Sequence, residues 1–143
     1  MTMTIEKYNE IPEGARLVRE AVFKDEQGFV NEFDDIDRVA VHFLMSDNGK
    51  PVATCRVFTE EKEDEYILGR LAVMKEYRGD HLGSKILAEV DKFVRSEGGR
   101  LIRLHSQCTA RKFYESNGYE AYGEIEDDEG CPHIWMKKEL SQG

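Results

Sequence analysis

The segment YRGDHLGSKIL, residues 77–87, most constrains the fold, because it joins an apolar run to an amphipathic one. The run before it, YILGRLAV at residues 66–73, is largely apolar and predicts a central strand. After it, apolar residues recur at positions 86, 87, 90, 93 and 94, which is helical spacing, and Gly98-Gly99 predicts the helix end. A strand, a glycine-containing turn and a helix in this order predict an α/β layer protein.

The remaining sequence adds elements on both sides of this unit. Helices are predicted at residues 15–23, after a break at Pro12-Glu13-Gly14, and at residues 110–119, where Asn117-Gly118 ends the helix. Asn48-Gly49 predicts a tight hairpin turn. Further strands are predicted at residues 2–8, 39–45, 51–58, 101–107 and 133–138, with one more near 120–125. The chain of 143 residues has no linker, which predicts one domain over residues 1–143 with a mixed sheet.

Composition excludes several classes of protein. The formal net charge of −9 argues against a nucleic-acid partner and against an anionic membrane surface. No stretch approaches the roughly 18 apolar residues of a membrane span, and the start of the chain does not resemble a signal peptide. The cysteines, Cys55, Cys108 and Cys131, form no Cys-x-x-Cys pair, so we expect no metal and a cytoplasmic protein with reduced thiols.

The turn after the central strand has the chemistry of an anion site. The first N–H groups of a helix lack internal partners, and the helix dipole favours negative charge there. Gly79 and Gly83 let a ligand approach the backbone, Arg78 can bind phosphate oxygens, and Ser84 can cap or donate. The nucleotide P-loop is excluded, because the two glycines are one residue too close and Ser84 precedes Lys85. The dinucleotide pattern Gly-x-Gly-x-x-Gly is absent as well, so the turn predicts another pyrophosphate ligand.

This turn resembles the acetyl-CoA-binding motif of the GNAT N-acetyltransferases, Arg/Gln-x-x-Gly-x-Gly/Ala after a strand that ends in aliphatic-x-Val. The sequence LAV at residues 71–73, Arg78 and Gly83 match the motif, whereas His81 replaces its middle glycine. A second resemblance is ARKFYESNGYE at residues 110–120, since the family has a short Phe-Tyr helix that ends at Gly-Tyr or Gly-Phe.

Three further segments resemble the ElaA/YjcF-like branch of the family. They are EAVFKDEQGF at residues 20–29, DDIDRVAVHFL at 34–44 and DEGCPHIWMKK at 128–138. The resemblance therefore covers nearly the whole chain. It implies the GNAT fold, an α/β arrangement with a mixed central sheet of about six or seven strands, a V-shaped splay and flanking helices.

The resemblance also implies where acetyl-CoA, the co-substrate, binds. The strands carrying RLAV and LHSQ splay apart, and the pantetheine arm hydrogen-bonds the backbone of residues 71–73 in the gap. The implied cofactor-binding residues are Leu71, Ala72, Val73, Arg78, Gly79, Asp80, His81, Leu82, Gly83, Ser84 and Gln107.

Two residues are candidates for the proton transfers of the reaction. Tyr114 matches the family tyrosine proposed as proton donor, and a phenol with a pKa of about 10 stays protonated at neutral pH. His105 titrates in the range suited to a base. Glu26, His42, His133 and a chain of water are the alternatives for the base.

The sequence thus predicts an N-acetyltransferase that moves an acetyl group from acetyl-CoA to the primary amine of a small molecule by direct transfer. A non-catalytic acyl-CoA-binding or regulatory module and a protein or peptide acyltransferase are the alternatives. The acidic segments at residues 31–37 and 124–129 either attract a cationic amine or form a solvated surface. Arg56 and Arg70 either bind a substrate carboxylate or pair with these acids. The assembly state stays open, with a homodimer as one alternative.

Overall fold

A single seven-stranded sheet organises the protein. The structure, a computed structural model, describes residues 3–28, 33–128 and 130–140. The strand order is β1-β2-β3-β4-β5-β7-β6, and among these described strands only β4 and β5 pair in parallel. The predicted mixed sheet is confirmed, including the strand near residues 120–125. The strands are β1 (Met3–Tyr8), β2 (Val41–Asp47), β3 (Lys50–Thr59), β4 (Glu65–Val73), β5 (Leu101–Gln107), β6 (Glu120–Asp128) and β7 (Cys131–Glu139).

In the part of the chain that the structure describes, three α-helices flank the sheet. They are α1 (Glu13–Arg19), which continues as a π-helix over Glu20–Glu26, α2 (Leu82–Ser96) and α3 (Arg111–Ser116). Short 3₁₀ turns lie at Asp35–Arg38, Lys75–Tyr77 and Cys108–Ala110. Within the described residues, no helix combines the length and the apolar character needed to cross a bilayer.

The predicted break between the first strand and the first helix is confirmed, because β1 ends at Tyr8, but the helix begins two residues before the predicted residue 15. The α1 helix begins at Glu13, with Pro12 at the N-cap, so Gly14 lies inside its first turn. A Cβ atom at Gly14 would lie 2.8 Å from Leu44 Cδ2 and 2.9 Å from Pro51 Cγ. Gly14 therefore allows α1 to pack closely on the β2–β3 hairpin, which sequence periodicity does not reveal.

The two faces of the sheet are covered by different helices. On one face, the π-helical part of the first helix contributes Val22, which packs with Val18 and Ala72. On the other face lies the main core, and Leu71 and Val73 pack against it. The buried residues that α2 contributes to this core are Leu82, Ile86, Leu87, Val90 and Val94.

The parallel strands β4 and β5 separate part of the way along the sheet. They pair from Glu65/Leu101 only as far as Leu68/Leu104. At the same level β4 carries a bulge, because Thr54 pairs with Ala72 while Arg56 pairs with Gly69. Arg70, inside this bulge, has a φ of 55°. Beyond this point β4 pairs with β3 and β5 with β7, which confirms the V-shaped splay.

A buried ionic network fixes the segment between the π-helix and β2. Asp37 accepts hydrogen bonds from Arg19 Nη1 at 2.8 Å and from Arg56 Nη1 at 2.9 Å. Asp34 accepts one from Arg56 at 2.6 Å and lies 3.4 Å from Arg70 Nη2. Burial alone would raise the pKa of Asp37, but hydrogen bonds from Arg19 and Arg56 outweigh it and lower the pKa to about 2.

This network joins the two arginines to the first acidic segment. Arg56 pairs with Asp34 and Asp37 of the first acidic segment, and Arg70 lies 3.4 Å from Asp34. Residues 31 and 32 of that segment, and residue 129 of the second one, lie outside the described residues. The described part of the second segment, residues 124–128, is exposed on β6.

Candidate active site

Two cavities open where β4 and β5 separate. The larger cavity, of about 470 Å³, lies between the end of β4, the loop at residues 77–81, the start of α2 and α3. The smaller cavity, of about 170 Å³, lies between the splayed ends of β4 and β5. Gln27, Leu71, Ala110 and Tyr114 line both, so the cavities adjoin at these residues. Sequence patterns indicated Leu71 and Tyr114 but missed Gln27 and Ala110 as site residues.

Most of the predicted cofactor-binding residues line the larger cavity. Gln107 lines the smaller cavity instead, together with His105. Asp80 is exposed and is absent from the linings of both cavities. The predicted residues that line the larger cavity are Leu71, Ala72, Val73, Arg78, Gly79, His81, Leu82, Gly83 and Ser84.

The loop before α2 leaves the first helical amides without a side-chain cap. His81 occupies the N-cap position and makes no side-chain hydrogen bond to those amides. Gly79 has a φ of 95°, and, its two chain neighbours apart, no atom of the described residues lies within 4 Å of the position a Cβ would take. Because Gly79 has no side chain, a ligand can approach the backbone of this turn closely, as an anion site requires.

Gly83 and Leu82 serve the packing of α2 as well as the cavity. A Cβ atom at Gly83 would lie 2.9 Å from Phe113 Cζ, so the glycine lets α2 approach α3. Leu82 is buried in the main core, which leaves its backbone as the part that can reach a ligand. The sequence predicted that Gly83 lets a ligand approach the backbone. The structure gives a second reason for a glycine at this position, which is the close packing of α2 and α3.

His81→Gly should raise the melting temperature and keep the affinity for coenzyme A. His81 has a φ of 61°, a left-handed conformation that glycine adopts without the roughly 1 kcal/mol penalty of a residue with a Cβ. Thermal denaturation and calorimetric titration check the two parts. A tenfold loss of affinity would show instead that the imidazole contacts a phosphate.

Arg78 is held at the rim of the larger cavity by the end of the π-helix. Its Nη1 and Nη2 donate to Glu26 Oε2 at 2.6 Å and Oε1 at 2.8 Å, and its Nε donates to Val73 O at 3.1 Å. The hydrogen bonds from Arg78 lower the pKa of Glu26, so this carboxylate is ionised and unsuited to act as a base at neutral pH.

Tyr114 lies at the junction of the two cavities. Its ring packs edge to face against Phe113 at 5.1 Å and Tyr119 at 5.8 Å, and the residue is 8% exposed. Burial raises the pKa of Tyr114, so its hydroxyl stays protonated at neutral pH.

Asn117, at the end of α3, connects this helix to α2. Its Nδ2 donates to Phe113 O at 2.9 Å and to Ser84 Oγ at 3.2 Å.

His105 lies in an aromatic row beside the smaller cavity. Its ring stacks on His133 at 4.9 Å and packs against Trp135 at 4.9 Å. Its Nε2 is buried 3.6 Å from Glu126 Oε1, a distance longer than a hydrogen bond. Burial and the nearby His133 lower the pKa of His105, while Glu126 and Asp128 oppose this shift. His105 is therefore a neutral imidazole near pH 7.

The other candidate bases differ in position. His133 lines the smaller cavity, and its Nδ1 lies 2.8 Å from Cys131 O. His42 is buried in the ionic network, with its Nε2 2.9 Å from Asp37 O, and is absent from the linings of both cavities. The hypothesis that His42 is the base is therefore wrong.

Comparison with known proteins identifies relatives over nearly the whole chain. The family model described as acetyltransferase (GNAT) domain matches residues 12–140. A Bacillus subtilis protein that is named as an acetyltransferase is 34% identical over 127 residues, which cover 85% of each protein.

Solved structures share the fold. Escherichia coli ElaA superposes with a TM-score of 0.85 at 22% identity, covering 96% of this chain and 99% of that one. An aminoglycoside 6′-N-acetyltransferase, crystallised with coenzyme A, superposes with a TM-score of 0.75 at 16% identity, covering 98% and 99%.

Proposed function

The chain belongs to the GNAT acetyltransferase family, and we propose that it transfers the acetyl group of acetyl-CoA directly to the primary amine of a small molecule. The observation that carries this proposal is the meeting of two cavities at Leu71 and Tyr114. In the proposal, acetyl-CoA binds in the larger cavity and the amine in the smaller one. The acetyl group then lies at their junction.

The larger cavity has groups suited to both parts of acetyl-CoA. Amides without a side-chain cap at the start of α2, with Arg78, offer donors to a pyrophosphate. Beyond Leu68, the edge of β4 that faces the V has no partner in β5, so its backbone is open to the amides of a pantetheine arm. The family's use of acetyl-CoA and the neighbour crystallised with coenzyme A support this assignment.

The proposed reaction needs one proton removed from the amine and one delivered to sulfur. The neutral His105 accepts the proton of the incoming ammonium, and its Nδ1 is the ring nitrogen that does not face Glu126. The free amine attacks the thioester carbonyl, and the C–S bond breaks as the tetrahedral intermediate collapses. Tyr114 donates its proton to the departing thiolate and recovers one from the nitrogen that becomes the amide.

The size of the smaller cavity favours a small acceptor. Its volume is about 170 Å³, against about 470 Å³ for the larger cavity. This space suits the amine end of a small molecule.

The cysteines support direct transfer over an acetyl-cysteine intermediate. Burial raises the pKa of both Cys55 and Cys131, which disfavours their nucleophilic thiolate forms.

The pH profile of kcat/KM should depend on His105. We expect an acidic limb below about pH 6.5, because burial lowers the pKa of His105 and the neutral form accepts the proton. Glu126→Gln should move this limb to lower pH, since the carboxylate raises that pKa, and His133→Asn should move it to higher pH. A limb that stays in place in both variants would exclude His105 as the base.

A thiol-detection assay for CoA release, run over a panel of primary amines, tests the proposed function. We expect release with acetyl-CoA and at least one small amine, above the rate without amine. Acetyl-CoA should also raise the melting temperature more than NAD or ATP does. A protein stabilised by acetyl-CoA that releases no CoA with any amine would be a binding module instead.

A further inference from the structure

Two consecutive residues cross the mouth of the V. Glu26 binds Arg78, which follows β4, through two hydrogen bonds of 2.6 and 2.8 Å. Gln27 Oε1 accepts a hydrogen bond of 2.8 Å from Gln107 Nε2, at the end of β5. Residues 26–27 therefore tie the two separated limbs of the sheet together, and we refer to them as the strap.

The strap binds the guanidinium of Arg78, which the pyrophosphate of acetyl-CoA needs in the proposed function. Both terminal nitrogens of Arg78 donate to Glu26, and the remaining nitrogen donates to Val73 O. A pyrophosphate oxygen binds arginine through the same forked pair of donors that a carboxylate uses. A phosphate brought to Arg78 would also lie close to the charge of Glu26 and be repelled by it.

We propose that Glu26 competes with the pyrophosphate of acetyl-CoA for Arg78, so that the cofactor must displace the strap in order to bind. This inference rests on the proposed function. It makes Glu26 a determinant of cofactor affinity, although Glu26 contacts neither of the reacting atoms.

The local structure suits a strap that can be displaced. The Arg78 and Glu26 side chains are 41% and 36% exposed, so water can solvate both charges when the pair separates. The strap lies at the end of the π-helical segment, where Gln27 N donates to Val22 O at 3.0 Å. Gly28, directly after it, has a φ of 77°, a conformation that ends the helix.

Displacement of the strap also links the two cavities. Gln27 lines both of them, and its bond to Gln107 crosses the space between the splayed strands. When Gln27 leaves, the amide of Gln107 is released for a pantetheine arm.

Calorimetric titration of coenzyme A into the wild type, Glu26→Gln and Glu76→Gln tests this inference. Glu26→Gln should bind coenzyme A about fivefold more tightly, since a partly exposed bidentate pair is lost. Glu76→Gln is the matched control, because the charge of Glu76 acts on Arg78 while the hydrogen bonds of the guanidinium go to Glu26 and Val73. It should change affinity less than twofold.

Pantetheine, which lacks the pyrophosphate, supplies a second comparison. Its affinity should gain less from Glu26→Gln than that of coenzyme A, because the competition at Arg78 concerns the phosphates. Unchanged binding of coenzyme A by a folded Glu26→Gln variant would overturn the inference. Weaker binding would overturn it as well, because it would show that Glu26 orients Arg78 for the phosphate. Absence of coenzyme A binding in the wild type would overturn the proposed function and this inference together.

Discussion

Tyr114→Phe should fold normally and lose about 100-fold or more in turnover, the usual scale for a lost general acid. The ring, which packs on Phe113 and Tyr119, is retained, and only the hydroxyl is removed. The Michaelis constant for acetyl-CoA should change little, because the proton is donated mainly in the transition state. Steady-state kinetics with an acceptor from the amine panel measure both constants.

Tyr119→Phe provides the matched control for this variant. Tyr119 is a buried tyrosine that packs against Tyr114, and it is absent from the linings of both cavities. Its variant should keep turnover within a few-fold of the wild type. Full turnover in a folded Tyr114→Phe variant would contradict the role of proton donor and leave Tyr114 as a packing residue.

Asp37→Asn should lower the free energy of unfolding by about 3 kcal/mol or more. Asp37 pairs with Arg19 and Arg56, which are 1% and 3% exposed. The variant removes the carboxylate that both buried guanidinium groups share, and the loss of a partner from a buried ion pair is strongly destabilising. Urea denaturation measures the difference. Asp35→Asn, an exposed residue of the same turn, is the control and should stay within about 0.5 kcal/mol of the wild type.

The effect of Asp37 on stability should depend on pH. Its pKa falls from 3.8 to about 2 on folding, which corresponds to about 2 kcal/mol at 1.36 kcal/mol per unit. This stabilisation is complete above the unfolded pKa and is lost as the pH falls through the folded one. The wild type and Asp37→Asn should therefore converge in stability between about pH 4 and pH 2, and a constant difference over that range would contradict the assignment.

Local patterns predicted most of the elements because their causes are local. Asn48 and Gly49 adopt the positive φ angles, 50° and 85°, that the hairpin turn required. The helix after the turn ends before Gly98, whose φ is 81°. Spacing alone did not show that Gly14 lies within α1, because the reason is a contact with Leu44 and Pro51 of the hairpin.

The candidate site was predicted only in part, because several of its contacts join distant parts of the chain. The motif around Arg78 and the Tyr114 helix have recognisable local sequences, and both line the larger cavity. Gln27 meets Gln107 across 80 positions, and Glu26 meets Arg78 across 52. Pairings at such separations depend on the splay of the sheet, which no periodicity within a single segment reports.

Mass detection of the transferred acetyl group tests the central claim most directly. The protein would be incubated with acetyl-CoA carrying a deuterated acetyl group, the amine panel and a lysine-containing peptide. We predict that at least one small primary amine gains the deuterated acetyl group in step with the CoA released. Labelling of the peptide alone, or of no acceptor while acetyl-CoA binds, would contradict a small-molecule N-acetyltransferase.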